Sequence, residues 1–93
     1  MGSDVHTEKY EEQQDQITIR DRIVALWDAK GLTAKELEKA SGLDRDKWYA
    51  LRNGRRRANE EDIMALVKVF PEHALWLVSG ETAPEAGQTS PEA

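Results

Sequence analysis

The residues with the most evident chemistry are six cationic side chains that lie close together in the middle of the chain. Positions 45 to 57 carry one acid, Asp46, and these cations, which give the stretch a charge of +5: Arg45, Lys47, Arg52, Arg55, Arg56 and Arg57. Guanidinium groups bind phosphate and carboxylate through charge-assisted hydrogen bonds, often two at a time. The cluster indicates an anionic partner, although a basic run such as 55–57, taken alone, is more often a solvated loop.

The charge of the whole chain has the opposite sign, because the two ends are acidic. The formal net charge is −5. Residues 1–16 contribute −4 and residues 81–93 contribute −3, whereas residues 17–80 carry +2. What a protein binds depends on this distribution more than on the sum. We therefore expect a folded domain over 17–80, a flexible acidic arm over 1–16 and a disordered tail over 81–93.

Length and composition exclude several classes of protein. A chain of 93 residues allows one domain with one small core. It has no cysteine for disulfides or thiolate metal sites, and no apolar run near the roughly 18 residues of a membrane span. No catalytic triad, phosphate-binding glycine loop or metal-ligand spacing is present. We expect a cytoplasmic protein that is not an enzyme, binds no metal or cofactor and has no membrane segment.

Hydrophobic residues at 3.6-residue spacing predict five helices between the tails. Capping boxes and N-caps indicate where helices begin, and glycines or Pro71 indicate where they end. The predicted helices cover about 18–30, 33–40, 44–53, 59–70 and 72–78. No strand pattern competes with them, so the sequence predicts an all-α fold, a compact five-helix bundle.

The second and third predicted helices are short and are joined by the tight turn Ser41-Gly42-Leu43. We expect these two helices to pack on each other through Leu37, Ala40, Leu43, Trp48 and Leu51. Such a pair, with a basic and amphipathic second member, is typical of a helix-turn-helix, in which the second helix enters the major groove of DNA. Trp48 shares its register with Leu51, so we expect it in the core and not stacked on a base.

Several motifs carry a wider resemblance: Gly31-Leu32-Thr33, Glu36-Leu37, Ala40-Ser41-Gly42-Leu43, Leu51-Arg52-Asn53-Gly54-Arg55 and Trp76-Leu77-Val78-Ser79-Gly80-Glu81. Over roughly residues 19–80 the chain resembles the lambda Cro/repressor-like family of bacterial and phage regulators. The last motif is most similar to phage repressor-type members. The resemblance implies a five-helix DNA-binding domain, dimeric binding to palindromic operators and base contacts from the third helix.

The resemblance also implies roles for individual positions. Base contacts would come from Arg45, Asp46, Tyr49 and Ala50. Among these, Arg45 is the expected main specificity residue, because a guanidinium fork binds guanine O6 and N7 together. The resemblance places phosphate contacts at Asn53, Arg55, Arg56 and Arg57, and we expect Lys35 and Lys47 to contact phosphate as well. One position departs from the family, since Ala34 stands where the family often has a phosphate-contacting Gln.

The apolar run 74–78 exceeds what one buried helix face can hold, so Leu75 and Trp76 are candidates for a dimer interface. The leading hypothesis is a sequence-specific regulator of phage or prophage type, a homodimeric repressor that binds double-stranded DNA. The alternative is a protein-binding partner, such as an antitoxin or an inhibitor, that uses its acidic tails and for which DNA binding is secondary.

Overall fold

The computed structural model describes residues 18–91, and these residues form five α-helices. The helices are α1 (Ile19–Lys30), α2 (Ala34–Ser41), α3 (Arg45–Arg52), α4 (Glu60–Val69) and α5 (Ala74–Ser79). A 3-10 turn at Pro71–His73 precedes α5, and another at Pro84–Ala86 follows it. Within this part of the chain no helix is long and apolar enough to cross a bilayer. The predicted all-α five-helix bundle is confirmed, and the arm predicted over 1–16 lies outside the described residues.

The helix boundaries follow from local capping chemistry. Thr18, Thr33 and Asn59 each accept a hydrogen bond from a backbone N–H three residues later, and the acid at that position accepts one in return. These reciprocal bonds satisfy donors that have no partner within the helix. Gly31 and Gly42 end α1 and α2 with φ of 64° and 81°, where a side chain would be strained. The first, second and fourth helices therefore begin where the sequence predicts.

The core is built around two tryptophans. Its buried hydrophobic side chains are Ile23, Leu26, Trp27, Ala34, Leu37, Trp48, Leu51, Leu66 and Leu77. The rings of Trp27 and Trp48 meet edge to face, with centroids 6.5 Å apart and planes at 79°. Aromatic pairs prefer this arrangement because the positive edge of one ring faces the negative face of the other. Trp48 has no exposed surface, which confirms its predicted place in the core.

One predicted core position of α2 is wrong. Ala40 is exposed, whereas Ala34 at the start of the same helix is buried. The inward stripe of α2 runs through Ala34, Leu37 and Ser41 at spacings of three and four residues, which keeps it on one side of the helix. Ala40 lies on the opposite flank of Leu37 and faces away from the bundle.

Two arginines of α1 hold the carboxyl ends of two other helices. Arg20 donates through Nε and Nη2 to the carbonyls of the last two residues of α3, at 2.8 and 2.7 Å. Arg22 donates through Nε and Nη2 to two carbonyls in the last turn of α5, at 2.8 and 3.0 Å. Carbonyls at a helix end lack partners in their own helix and favour a cation. α1 therefore fixes the ends of both α3 and α5.

The structure describes residues 81–91 of the tail predicted to be disordered over 81–93, and these residues form a turn after α5. Ala83 and Gln88 form an isolated antiparallel bridge that closes a short turn. The Gln88 side chain accepts a hydrogen bond from the Leu75 backbone N–H at 2.9 Å and donates one to the Pro71 carbonyl at 3.0 Å. The turn is thereby attached to the first turn of α5.

A second set of hydrogen bonds lies one residue further on. The backbone N–H of Thr89 donates to the Glu72 carbonyl at 2.9 Å. The carbonyl of Thr89 lies 2.7 Å from Nδ1 of buried His73, and this nitrogen carries the proton because a carbonyl only accepts. The segment has few apolar residues, and its contacts with the bundle described here are hydrogen bonds.

Replacing Gln88 by Ala is expected to loosen this attachment. The Leu75 N–H is in the first turn of α5 and loses its acceptor, so we expect a loss of about 1 kcal/mol in local stability and faster amide exchange at Leu75. Hydrogen exchange followed by NMR measures this change. Thr82→Ala is the matched control, because Thr82 is exposed on the same segment. Equal exchange at Leu75 in both variants would contradict the assignment.

Candidate nucleic-acid interface

The inner face of α3 is fixed to the turn that precedes it. Trp48 and Leu51 have no exposed surface, and Trp48 Nε1 donates to Ser41 Oγ at 3.3 Å. The same hydroxyl donates to the Leu37 carbonyl at 2.6 Å and accepts from the Leu43 N–H at 3.1 Å. One serine thus joins α2, the turn and α3, so the rotation of α3 about its axis is set by the core.

The four positions predicted to contact bases share the opposite side of α3. Arg45, Asp46 and Tyr49 are exposed and Ala50 is half-buried. Their spacing of one, four and five residues places them on one face of the first two turns. We call these four residues the α3 outer face. The α3 N-terminus is capped by Asp44, whose Oδ1 accepts from the Asp46 N–H at 2.9 Å.

Within this face Arg45 has a partner that sequence analysis missed. Its Nε donates to Glu38 Oε1 at 3.0 Å, and its Nη2 lies 2.9 Å from the same oxygen. The backbone N–H of Arg45 also donates to Glu38 Oε2, at 3.3 Å. Glu38 belongs to α2, so the pair connects the last turn of α2 with the first residue of α3. An acid seven residues before an arginine, across a tight turn, is the only signal that could have indicated it.

The residues predicted to bind phosphate have different surroundings. Lys35, Asn53, Arg55 and Arg57 are exposed, and within residues 18–91 their side chains form no hydrogen bond or ion pair. Lys47 forms a loose pair with Glu61, with Nζ 3.9 Å from a carboxylate oxygen and both side chains more than half exposed. As far as the described residues go, these five side chains are available to an external anion.

Arg56, by contrast, is used within the fold. Its Nη1 and Nη2 donate to the two carboxylate oxygens of Asp62 at 2.8 and 2.9 Å, and its Nε donates to the Lys47 carbonyl at 3.0 Å. The hydrogen bond to Asp62 raises the pKa of Arg56 above its ordinary value. Asp62 is 1% exposed and also accepts from the Asn59 N–H at 2.9 Å. The structure therefore gives Arg56 partners within the fold, and its predicted contact with phosphate stays a prediction.

An open groove of about 780 Å³ lies between the start of α1 and the loop that follows α3. Its lining residues are Thr18, Ile19, Arg20, Gly54, Arg56, Arg57 and Ala58. Arg20 and Arg56 direct their guanidinium groups to protein acceptors, as described above. Among these lining residues Arg57 is the cation left to meet an anion in this groove.

One of the two residues predicted for a dimer interface, Trp76, lines a second cleft. Leu75 and Trp76 are half-buried, and Val78 on the same helix is 49% exposed. Trp76 lines a cleft of about 410 Å³ between α1 and α5, together with Ala25 and the Arg22 side chain. A self-association role for this surface stays a prediction.

The fold and the site define a class: small all-α proteins of five helices that expose one face of a short, cation-rich helix. The structure is similar to that of Pf6r from the filamentous phage Pf6 of Pseudomonas aeruginosa PA01, with a TM-score of 0.71 and 35% sequence identity. The match covers 81% of this chain and 87% of Pf6r. The chain belongs to the same family as Pf6r. No protein-family model and no curated protein matches it.

Proposed function

We propose that this protein is a sequence-specific regulator of transcription, of lambda Cro/repressor-like type, that inserts α3 into the major groove of double-stranded DNA. The observation that carries the proposal is the placement of α3. Trp48 and Leu51 lock its inner face into the core, whereas its N-terminal end and outer face stay open. The major groove admits a helix presented in this way, and base edges are contacted by side chains of its first turns.

Cations at both ends of the α2–α3 unit support the same proposal. Lys35 lies in the first turn of α2, and Arg55 and Arg57 follow the end of α3. All three are exposed. Contacts of such side chains with phosphate supply affinity and fix the orientation of the protein on the duplex, but they do not select sequence. Selection is then assigned to the α3 outer face.

The proposal includes a dimer joined through Leu75, Trp76 and the neighbouring surface of α5. A two-fold pair would place two α3 helices about 34 Å apart, one turn of DNA, and would require an inverted repeat. The likeness to a phage protein favours a phage or prophage regulator. Occupation of a promoter by such a dimer would repress transcription by excluding polymerase.

Selection of bound duplexes from a random DNA pool, at near-physiological salt, tests the proposal directly. We expect enrichment of an inverted repeat whose half-sites are about one helical turn apart. A chain lacking residues 1–16 is the control and is expected to enrich the same sequence. Absence of any enrichment by the full chain would contradict the proposal and would favour a protein partner bound through the acidic tails.

A further inference from the structure

The contact between Glu38 and Arg45 determines more than the local packing of two helices. We infer that Glu38 is a specificity-determining residue, which positions the Arg45 guanidinium so that its outer end meets a guanine. This inference rests on the proposed function, because it concerns how the α3 outer face selects a base. Its evidence is the set of three contacts that one carboxylate makes with one arginine.

The contacts leave the useful end of Arg45 open. A guanidinium group has five N–H donors, one on Nε and two on each terminal nitrogen. Glu38 Oε1 lies within hydrogen-bond distance of Nε and Nη2, on one edge of the group. The opposite end, formed by Nη1 and the second N–H of Nη2, still presents two parallel donors. Guanine O6 and N7 accept such a pair.

A purely structural role for Glu38 does not account for the arrangement. The α3 N-terminus already has a cap, because Asp44 accepts from the Asp46 N–H at 2.9 Å, whereas the bond from the Arg45 N–H to Glu38 is longer, at 3.3 Å. The side chains of Arg45 and Glu38 are 46% and 33% exposed. Ion pairs this exposed to solvent add little stability.

A role in positioning the Arg45 guanidinium, in contrast, follows from the contacts of Glu38. A long arginine side chain that is free in solution loses rotamer freedom when it binds, which weakens the contact it makes. Glu38 holds Arg45 before DNA arrives, and Arg45 neutralises a carboxylate that would otherwise lie unpaired beside phosphates. The effect should therefore appear at the one base pair that Arg45 contacts.

The experiment compares two variants that each remove one carboxylate paired with a cation of α3. Glu38→Ala releases Arg45, and the matched control Glu61→Ala releases Lys47, whose partner lies 3.9 Å away. Dissociation constants are measured on duplexes that differ at the base pair whose preference Arg45→Ala removes. We expect Glu38→Ala to reduce discrimination at that pair about 5-fold to 10-fold, and Glu61→Ala to leave it unchanged.

A double variant separates positioning from other effects. In the Arg45→Ala background, Glu38→Ala is expected to cause no further change in base preference, since coupled residues are not additive. If Glu38→Ala proves unfolded by circular dichroism, Glu38→Asp is used instead. The aspartate side chain is one methylene shorter, so its carboxylate does not reach the same donors on Arg45.

Two results would overturn the inference while the proposed function stands. One is unchanged discrimination when Glu38 is replaced in a protein that still selects its sequence. The other is a loss that persists in the Arg45→Ala background. If the unaltered protein selects no sequence at all, the proposed function fails and this inference fails with it.

Discussion

Replacing Arg56 by Ala is expected to lower the free energy of unfolding by about 3 kcal/mol. The substitution leaves the Asp62 carboxylate buried without its cation, and a buried charge that has lost its partner is strongly destabilising. It also removes the hydrogen bond from Nε to the Lys47 carbonyl, which connects the loop after α3 with α3 itself. Urea denaturation followed by circular dichroism measures the change.

Arg55→Ala is the matched control for this prediction. Arg55 precedes Arg56, is exposed and has no side-chain partner within the described residues, so its loss should change stability by less than about 0.5 kcal/mol. Equal unfolding midpoints for the two variants would show that the pair with Asp62 does not support the fold.

Arg45→Ala and Arg57→Ala are expected to weaken DNA binding in different ways. In the proposed complex Arg45 contacts a base edge, so its loss should lower discrimination at one base pair by about 1–3 kcal/mol. In the same proposal Arg57 contacts phosphate, so its loss should lower affinity about equally for all sequences. The slope of log K against log salt concentration should then decrease by about 0.9.

Salt titrations on the selected sequence and on an unrelated duplex measure both effects. Arg57 is the appropriate comparison because it is exposed, whereas the neighbouring Arg56 is bound to Asp62. Identical behaviour of the two variants on both duplexes would contradict the assignment of a base contact to Arg45 and a phosphate contact to Arg57. The proposed placement of α3 in the groove would then have no support from its own side chains.

The bundle could be predicted from sequence because its determinants are local. Thr33 with Glu36, and Asn59 with Asp62, form capping boxes within four residues. Trp48 could be assigned to the core because its spacing to the next apolar residue matches one helix face. Interactions of this range are contained in a short window of sequence, so no tertiary information is needed.

The polar partners of the site could not be predicted from sequence. Each charged side chain can either remain in solvent or pair with a group that only the fold brings close. The run 55–57 contains three identical side chains, and nothing within it indicates which one turns inward. Arg56 does so because capping by Asn59 places Asp62 at the start of α4, within reach. Glu38 and Arg45 meet only once the turn between α2 and α3 has formed.

The two arginines of α1 have a mechanical consequence. Arg20 and Arg22 lie two residues apart on one helix of 12 residues, and they hold the carboxyl ends of α3 and α5. The carboxyl ends of α3 and α5 are thus both hydrogen-bonded to the first turn of α1, a helix about 18 Å long at 1.5 Å per residue. A change in the tilt of α3 would therefore strain its hydrogen bonds to the same turn of α1 that also holds α5.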